Sequence, residues 1–351
     1  MEKKNTILIG TLLVLMACGV WILQTPRAGA RAEQVQVSFG GETMGTTYQV
    51  QLAQVSLAAE ELQALEVKVA LELLAVNQAM STYMPESEIS RFNRGGTEPF
   101  QVSLRFQEVL RRSFEIYEQT HEAFDPTLGP LINLWGFGEA GSMGVAPSAE
   151  AIASVMKEVG MSMLTLSGDE LTKNEAGIEI NLSAIAKGYG VDRVAGVLKA
   201  EGFDNIYVEI GGELYCEGVN GAGMPWRIGI QVPAMNAQEK AMQVISLENR
   251  GLATSGDYRN YVVDDAGLRH HILDPRTGYP AKHTLASVSV LAEDCMTADA
   301  VATALFVMGT EEGWAWLEGQ EGLEALFIDR DGDSYRNTAT PGFEDVMIAV
   351  P

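Results

Sequence analysis

Residues 180–198 read INLSAIAKGYGVDRVAGVL and join a predicted strand to a predicted helix. Apolar and polar residues alternate from 178 to 182, which indicates a short strand. Ser183 then offers a hydroxyl cap to a helix that is expected to end at Gly202. Such a junction directs unpaired backbone N–H groups toward one point, where Lys187 adds a cation. The segment alone fits two structures: a cradle for an anionic ligand, and an ordinary amphipathic helix with a solvated lysine.

Apolar periodicity outside this junction predicts a fold of helices and hairpins. Helical spacing is found in three further segments, at residues 57–80, 103–120 and 148–159. Strands are predicted at 206–210, 226–232 and 287–291, and hairpins at 164–171 and 261–273. The second of these strands is expected to lie beside the first. Because hairpins join antiparallel neighbours, we predict one compact domain of mixed α/β class, with partly antiparallel sheets and helices packed outside.

The composition is that of an acidic, globular protein. With 46% apolar residues among 351, the chain can fill a sizeable core, as one large domain or two interlocked ones. The formal net charge of −23 argues against a nucleic-acid partner, because phosphate backbones are bound by basic patches. An anionic ligand would therefore need local help from a helix end, a single lysine or a metal ion.

The N-terminal segment has the features of an export signal. Lys3 and Lys4 precede an apolar run at residues 7–23, as in the charged and apolar regions of a secretory signal. The sequence LMAC that ends at Cys18 resembles a bacterial lipoprotein cleavage box, in which the cysteine is lipidated. An uncleaved membrane anchor and cleavage after residues 28–30 remain alternatives. All three routes export the rest of the chain.

The export signal also sets the predicted domain boundaries and location. We divide the chain into residues 1–30 as leader or membrane anchor, 31–38 as tether and 39–351 as the functional domain. The expected location is the periplasmic face of the inner membrane, with attachment through a lipid at Cys18 or through the N-terminal anchor.

The remaining cysteines give no sign of a metal site. Cys216 and Cys295 are too few and too far apart in sequence for a zinc site or a disulfide framework. A single bridge between them remains open in an exported protein, and two buried free thiols are expected.

A polar pair in an apolar helix is the first candidate for a metal site. Asp299 and Thr303 are four residues apart in a helix predicted after residue 294, so both lie on one face. A carboxylate and a hydroxyl placed in this way can bind a hard cation. The competing structural interpretation is that the Thr303 hydroxyl bonds back to the Asp299 carbonyl.

Two of the four histidines stand at the end of a predicted strand. Alternation along the strand places His270 and His271 on opposite faces, so at most one of them faces a pocket. Asp274 follows closely, and Pro275 favours an extended backbone for it. His271 and Asp274 are therefore candidates for acid–base chemistry, against a plain surface or capping role for the histidines.

These segments together resemble the ApbE family, in the same order along the chain. The matching motifs are MGTTY at 44–48, MSTY at 80–83, FDPT at 124–127, LSAIAKG at 182–188, GGE at 211–213, HILDPRTG at 271–278 and TADA at 297–300. They extend over nearly the whole predicted domain, and an N-terminal lipoprotein signal is also typical of this family. ApbE proteins are FAD:protein FMN transferases, once labelled thiamine-biosynthesis lipoproteins.

The resemblance implies a Mg²⁺-dependent reaction on FAD. FAD is split at its pyrophosphate, AMP leaves, and FMN is joined to a threonine or serine hydroxyl of a partner protein. The expected partner is an acceptor flavoprotein subunit of a membrane redox complex.

The same resemblance assigns roles to individual residues. Contacts with FAD are expected from Met44, Tyr83, Ala123, Phe124, Asp125, Asn181, Lys187 and Ile272. Mg²⁺ is expected at the Ala184 carbonyl, the Asp299 carboxylate and the Thr303 hydroxyl. His271 and Asp274 are expected near the reacting phosphorus. Many relatives have Asp where this chain has Asn181, a change that removes a negative charge but keeps hydrogen bonding.

Two rival functions remain open on the sequence. A FAD pyrophosphatase on the same scaffold would use water in place of the acceptor hydroxyl. A non-catalytic, lipid-anchored flavin-binding protein would need no metal, so the pair Asp299 and Thr303 argues against it.

Overall fold

The computed structural model describes residues 36–138, 146–233, 241–258, 261–264 and 267–349. The predicted leader with Cys18 and residues 31–35 of the predicted tether lie outside these ranges. The first strand begins at Gln36, within the predicted tether. Among the described helices, none is long and apolar enough to cross a membrane.

The described chain folds into strands and helices whose bounds are as follows. The strands are β1 Gln36–Thr43, β2 Thr46–Ala53, β3 Phe100–Gln101, β4 Leu164–Ser167, β5 Glu170–Lys173, β6 Ile206–Ile210, β7 Glu213–Glu217, β8 Trp226–Gln231, β9 Ala241–Leu247, β10 Arg250–Gly256, β11 Tyr261–Asp264, β12 Gly267–His270, β13 Leu285–Ala292, β14 Glu324–Asp331, β15 Ser334–Ala339 and β16 Met347–Ile348. The α-helices are α1 Ala59–Met80, α2 Glu88–Arg94, α3 Leu104–Gln119, α4 Gly129–Leu134, α5 Ala149–Val155, α6 Ala186–Ala200, α7 Cys295–Leu317 and α8 Pro341–Glu344.

The core is built on an eight-stranded antiparallel sheet with the order β1-β2-β6-β7-β10-β13-β14-β15. Every residue of β13, LASVSVLA, is buried, because this strand is covered on both faces. Val288 and Val290 pack in the cluster that includes α7, whereas Leu291 packs with the three-stranded sheet β16-β9-β8. Helices thus cover one face of the central sheet and a second sheet covers the other.

The second sheet corrects one predicted pairing. β8 pairs with β9, so segment 226–232 is not the neighbour of segment 206–210. β6 is already paired on both edges, with β2 and β7. The alternating apolar residues Trp226, Ile228 and Ile230 pack instead onto the face of the central sheet.

α6 and α7 approach each other closely at Gly188. A Cβ atom at this position would lie 2.3 Å from the carbonyl oxygen of Cys295, so only glycine fits. Further along α6, Val191, Val194 and Leu198 enter a core shared with α1 and the central sheet. The starts of α6 and α7 are therefore held side by side.

Most of the predicted elements are confirmed. The helices predicted at 57–80, 103–120 and 148–159 correspond to α1, α3 and α5. The two hairpins correspond to β4–β5 and β11–β12. Gly202 follows α6 with a φ of 89°, as its predicted role at the helix end requires. Cys216 and Cys295 are free and buried.

The junction ahead of α6 differs from its prediction. Residues 178–182 form no strand, and a single parallel bridge joins them to Leu128. The helix begins at Ala186, so Ser183 is not its N-cap. Instead, the Ser183 N–H donates a hydrogen bond of 2.9 Å to the Asn181 side chain, which turns the chain before the helix.

Candidate active site

A large cavity lies where the central sheet meets the starts of α6 and α7. Its volume is about 1370 Å³, which exceeds that of most small-molecule sites. Its walls come from the β1–β2 turn, residues 82–85, the segment before α6, the β6–β7 turn, β10, α7 and residues 271–273. Segments far apart in the sequence therefore share one site.

Met44 reaches the cavity from a tight hairpin turn. β1 and β2 remain paired up to Thr43 and Thr46, so Met44 and Gly45 alone form the loop. Their φ angles of 48° and 71° are both positive, as a two-residue hairpin turn of this hand requires. The turn brings the Met44 methyl group against Gly190 of α6, where a Cβ would lie only 2.8 Å from it.

Hydrogen bonds hold the irregular segment ahead of α6. The Asn93 side chain donates to the Ile180 carbonyl and accepts from the Ile180 N–H, both at 2.8 Å. The Asn181 N–H donates to the Pro126 carbonyl at 2.7 Å. Asn93, Asn181 and Ala184 line the cavity. The segment thus forms a fixed part of the cavity wall without belonging to a strand.

Lys187 lies between two buried carboxylates at the cavity wall. Its Nζ is 3.4 Å from Glu213 and 3.5 Å from Asp299, and we name these three residues the ion cluster. Asp299 also accepts a hydrogen bond of 3.0 Å from the Gly188 N–H, in the first turn of α6. The helix start therefore binds a protein carboxylate, and Lys187 is not an ordinary solvated lysine.

Asp299 and Thr303 lie one turn apart on α7, and both line the cavity, as does Ala184. The Thr303 hydroxyl contacts the Ser255 hydroxyl of β10, with 3.3 Å between the two oxygens. Thr303 is therefore linked to β10 as well as belonging to α7, and a metal site at Asp299 and Thr303 stays a prediction.

The donor set suits Mg²⁺ bound together with a phosphate. Among the described residues, no three His, Cys, Asp or Glu side chains form a metal site by themselves. Mg²⁺ is usually held by one or two carboxylates plus substrate phosphates and water. One buried carboxylate, one hydroxyl and one carbonyl at the same cavity fit that mode of binding.

A second buried carboxylate fixes the start of α7. Asp192 of α6 accepts hydrogen bonds from the N–H groups of Cys295 and Met296, both at 2.8 Å. Asp294 caps the same turn by accepting a bond of 2.7 Å from the Thr297 N–H. Burial raises the pKa of Asp192 to about 7 despite its hydrogen bonds. The helix that carries the metal-site candidates therefore begins at a firmly bonded point.

β12 ends at His270, and the residue after it reaches the cavity. His271 and Ile272 line the cavity, and the His271 ring is edge-to-face with Phe137 at a centroid distance of 6.5 Å. His270 is buried, its Nε2 lies 2.9 Å from the Ala281 carbonyl oxygen, and burial lowers its pKa. The prediction that at most one of the two histidines faces a pocket is confirmed.

Asp274 lies outside the cavity lining. Its carboxylate accepts hydrogen bonds from the Arg276 backbone N–H at 2.9 Å and from Arg276 Nε at 3.0 Å. Arg276 in turn donates to Glu312 at 2.6 Å. Asp274 therefore belongs to a charged turn, and the structure does not bring it to the cavity with His271.

The cavity includes most of the residues predicted to contact FAD. They are Met44, Tyr83, Asn181, Lys187 and Ile272. Ala123, Phe124 and Asp125 are buried and do not line it, and their contact with FAD stays a prediction. Asp125 accepts bonds of 2.7 and 2.6 Å from the N–H and hydroxyl of Thr127, and the adjacent Pro126 carbonyl accepts from Asn181. This stretch supports the cavity wall.

Comparison with known families assigns the chain. A family model described as ApbE family matches residues 44–327, a span that contains the whole ion cluster and both His271 and Thr303. The chain belongs to the ApbE family.

Relatives of this ApbE-family protein match most of its length. A protein from Vibrio cholerae serotype O1 named FAD:protein FMN transferase is 40% identical over 321 residues, which are 91% of this chain and 95% of that one. A protein of the same name from Escherichia coli K12 is 34% identical over 349 residues, covering 97% and 98% of the two chains.

Solved structures of ApbE proteins confirm the predicted fold class. The flavin transferase ApbE from Vibrio cholerae matches with a TM-score of 0.81 at 39% identity, covering 89% of this chain and 99% of that one. The apo form of flavinyl transferase ApbE from Pseudomonas stutzeri matches with a TM-score of 0.81 at 36% identity, covering 90% and 98%.

Several site residues of this ApbE-family chain have roles that its sequence does not reveal. In the sequence, Glu213 is marked only by the two glycines that precede it. Asn93, Asp192 and Ser255 stand in ordinary helical or strand sequence, and their functions depend on partners that are distant along the chain. Only the GGE motif could have directed attention to one of them.

Proposed function

We propose that this protein transfers FMN from FAD to a threonine or serine hydroxyl of a partner protein, in a Mg²⁺-dependent reaction that releases AMP. Membership of the ApbE family and the name shared by the relatives support the transfer of FMN. One observation carries the finer proposal: the ion cluster, Thr303, Ala184 and His271 all lie at one cavity.

The proposed site has to bind a negatively charged pyrophosphate in an acidic protein. The chain has a net charge of −23, and two carboxylates of the ion cluster already lie at the cavity, so a pyrophosphate alone would be repelled. Asp299, Thr303 and the Ala184 carbonyl are the proposed ligands of Mg²⁺, which would neutralise the phosphate oxygens and polarise the phosphorus. Lys187 adds a fixed positive charge beside them.

The proposed reaction exchanges one phosphorus–oxygen bond for another. The acceptor hydroxyl oxygen bonds to the phosphorus on the FMN side of the pyrophosphate. The bond from that phosphorus to the bridging oxygen breaks, and AMP leaves with this oxygen. His271 accepts the hydroxyl proton, because it lines the cavity and because histidine commonly serves as a base near neutral pH. Asp274 is the less favoured base, since it is bonded to Arg276 outside the cavity.

The two rival functions differ in what happens to FMN. A FAD pyrophosphatase would use the same ion and base but give FMN to water. A flavin-binding protein without catalysis would have no use for the Asp299 and Thr303 pair. The names of the relatives favour transfer over both.

The proposed partner is an acceptor flavoprotein subunit of a membrane redox complex, and the proposed location is the periplasmic face of the inner membrane. The N-terminal signal at residues 1–30 supports export. A reporter that is active only outside the cytoplasm, fused after Pro351, is expected to be active. Cys18→Ala is expected to lower the membrane-bound fraction, and an unchanged fraction would favour an uncleaved anchor.

The central test is incubation of the purified protein with FAD, Mg²⁺ and a candidate acceptor domain, followed by denaturing gel electrophoresis. Flavin fluorescence that stays with the acceptor band in SDS indicates covalent transfer. Release of AMP without acceptor fluorescence would indicate hydrolysis, and neither signal would indicate binding alone.

A further inference from the structure

β8 has a free edge. In the sheet order β16-β9-β8 it is the last strand, and its one paired neighbour is β9. Within the described part of the chain, no backbone hydrogen bond joins residues 228–231 to any strand other than β9. An edge strand of this kind is a template for an added strand.

The cavity of the candidate active site runs along this edge. Ile228, Gly229, Ile230 and Gln231 all line it. Successive side chains of a strand point to opposite faces, and here the two isoleucines are buried whereas Gly229 and Gln231 are exposed. A cavity that touches both sets meets the strand at its edge, where backbone N–H and C=O groups lie.

Residues of the central sheet line the part of the cavity that lies beside β8, which we call its arm. Tyr207, Leu214 and Leu252 line it, and Leu214 and Leu252 are directly paired between β7 and β10. We name this arm, together with residues 228–231, the edge groove. The Tyr207 hydroxyl is buried and has no hydrogen-bond partner among the described residues. The groove thus offers an apolar floor, a tyrosine hydroxyl and one open backbone edge.

The edge groove adjoins the ion cluster. Leu214 directly follows Glu213, whose carboxylate is 3.4 Å from Lys187 Nζ. On β10, Leu252 precedes Ser255 by three residues, and the Ser255 hydroxyl is 3.3 Å from that of Thr303. Because a strand rises about 3.3 Å per residue, the groove floor lies roughly 10 Å from the proposed metal site.

We propose that the acceptor protein binds in the edge groove as an extended segment that adds a strand to the free edge of β8. This inference rests on the proposed function, which requires a hydroxyl of a second protein to reach the ion cluster. A polypeptide in extended form carries the regular series of donors and acceptors that a strand edge pairs with. A segment paired to β8 places a residue about three positions further along at the metal site.

Substitution at the edge tests the inference. Lysine on an edge strand discourages pairing, so Gly229→Lys is expected to raise the KM for the acceptor domain about tenfold or more, through the loss of several backbone hydrogen bonds. The KM for FAD is expected to stay within about twofold, since FAD needs no strand edge. Met224→Lys is the matched control, because Met224 is also exposed and precedes β8 but does not line the cavity.

Peptides test the strand pairing itself. A synthetic peptide that spans the flavinylated residue of the acceptor is expected to inhibit transfer to the acceptor domain. Two versions carry N-methyl groups on alternate backbone amides, one set in each register. One version is expected to lose inhibition, because its blocked amides face β8, and the other to retain it. Equal inhibition by both versions, or no inhibition by the unmodified peptide, overturns the strand pairing.

The proposed function and the strand pairing at β8 can be overturned by different results. A wild-type protein that labels no acceptor overturns the proposed function, and this inference with it. A wild-type protein that transfers FMN, with Gly229→Lys behaving like Met224→Lys, overturns the inference alone. A raised KM for FAD in Gly229→Lys also contradicts it, because the groove would then belong to the FAD site.

Discussion

Two clusters of buried charge in this protein are built differently. In the ion cluster, Lys187 Nζ lies 3.4 Å from Glu213 and 3.5 Å from Asp299. Just after β10, Asp257 accepts two hydrogen bonds of 2.7 and 2.6 Å from the guanidinium of Arg330. The first set of contacts is longer than ordinary charged hydrogen bonds, whereas the second is a close, two-point pair.

This difference separates a binding site from a pair with a structural role. We name the Asp257–Arg330 pair the brace. The Asp257–Arg330 pair matches one charge with one charge and does not line the cavity. The ion cluster places one cation beside two carboxylates, lies on the cavity and has long contacts, so a divalent cation can bind there together with the negative charges of a pyrophosphate. We therefore expect substitutions in the ion cluster to reduce activity and substitutions in the brace to reduce stability.

The largest expected effect is on catalysis by Asp299→Asn. The amide keeps the shape of the side chain and can still accept the Gly188 hydrogen bond, but it is a poor ligand for Mg²⁺. Transfer and AMP release are expected to fall by at least about 10³-fold. The reason is that a bound metal ion would lower the activation free energy by several kcal/mol, by stabilising the negative charge that develops in the transition state. Both products are measured in EDTA-treated buffer to which Mg²⁺ is restored, and near wild-type turnover there would show that the proposed metal site is wrong.

A smaller loss is expected from His271→Asn. Removal of a general base typically costs about 10²-fold to 10⁴-fold in rate, so transfer is expected to fall by roughly 10² or more while FAD binding persists. Asp274→Asn is the matched comparison, and a loss below about tenfold is expected because Asp274 lies in the Arg276 turn. The reverse order of losses would move the base role to Asp274, and small losses at both would leave metal and positioning as the source of catalysis.

The brace is tested by Asp257→Asn. The Asp257 side chain is 7% exposed and that of Arg330 37% exposed, so the penalty is smaller than for a fully buried pair. The free energy of unfolding is expected to fall by about 1–3 kcal/mol, measured by urea denaturation. The transfer rate per folded molecule is expected to remain that of the wild type. A rate loss without a stability loss would remove the distinction between the two clusters.

A pH dependence of stability is expected at Asp192. Burial raises the pKa of Asp192 from 3.8 to about 7, so the folded protein holds this proton over a range in which the unfolded chain has released it. The contribution of Asp192 to stability is therefore complete below about pH 4 and declines as the pH rises to about 7. Asp192→Asn cannot ionise and lacks this decline. Urea denaturation of both proteins across that range measures the difference, and parallel curves would contradict the raised pKa.

The local parts of this fold could be predicted because they depend on local periodicity. The four-residue spacing of Asp299 and Thr303 places them together on any helix, and α7 confirms this arrangement. The alternation in segment 226–232 likewise predicts β8. Its partner could not be predicted, because the choice between β6 and β9 depends on which edges are already occupied.

The sequence-based predictions fail where a residue forms its hydrogen bonds with a distant part of the chain instead of with its sequence neighbours. Residues 178–182 alternate like a strand, but the Asn93 side chain takes both backbone bonds of Ile180 from 87 residues away. The 123–125 stretch matches a family motif, yet a motif does not distinguish residues that line a cavity from residues that support its wall. Glu213 joins the ion cluster only because the β6–β7 turn meets α6 and α7 in three dimensions.

The most direct test of the account is the intact mass of the acceptor domain, measured together with AMP after reaction with FAD. With the wild-type protein and Mg²⁺, the acceptor is expected to gain the mass of FMN less one water, with one AMP released for each acceptor labelled. Asp299→Asn, or the wild-type protein with EDTA, is expected to give neither product. AMP without a change in acceptor mass, or labelling that persists in Asp299→Asn, would contradict metal-dependent transfer at the ion cluster.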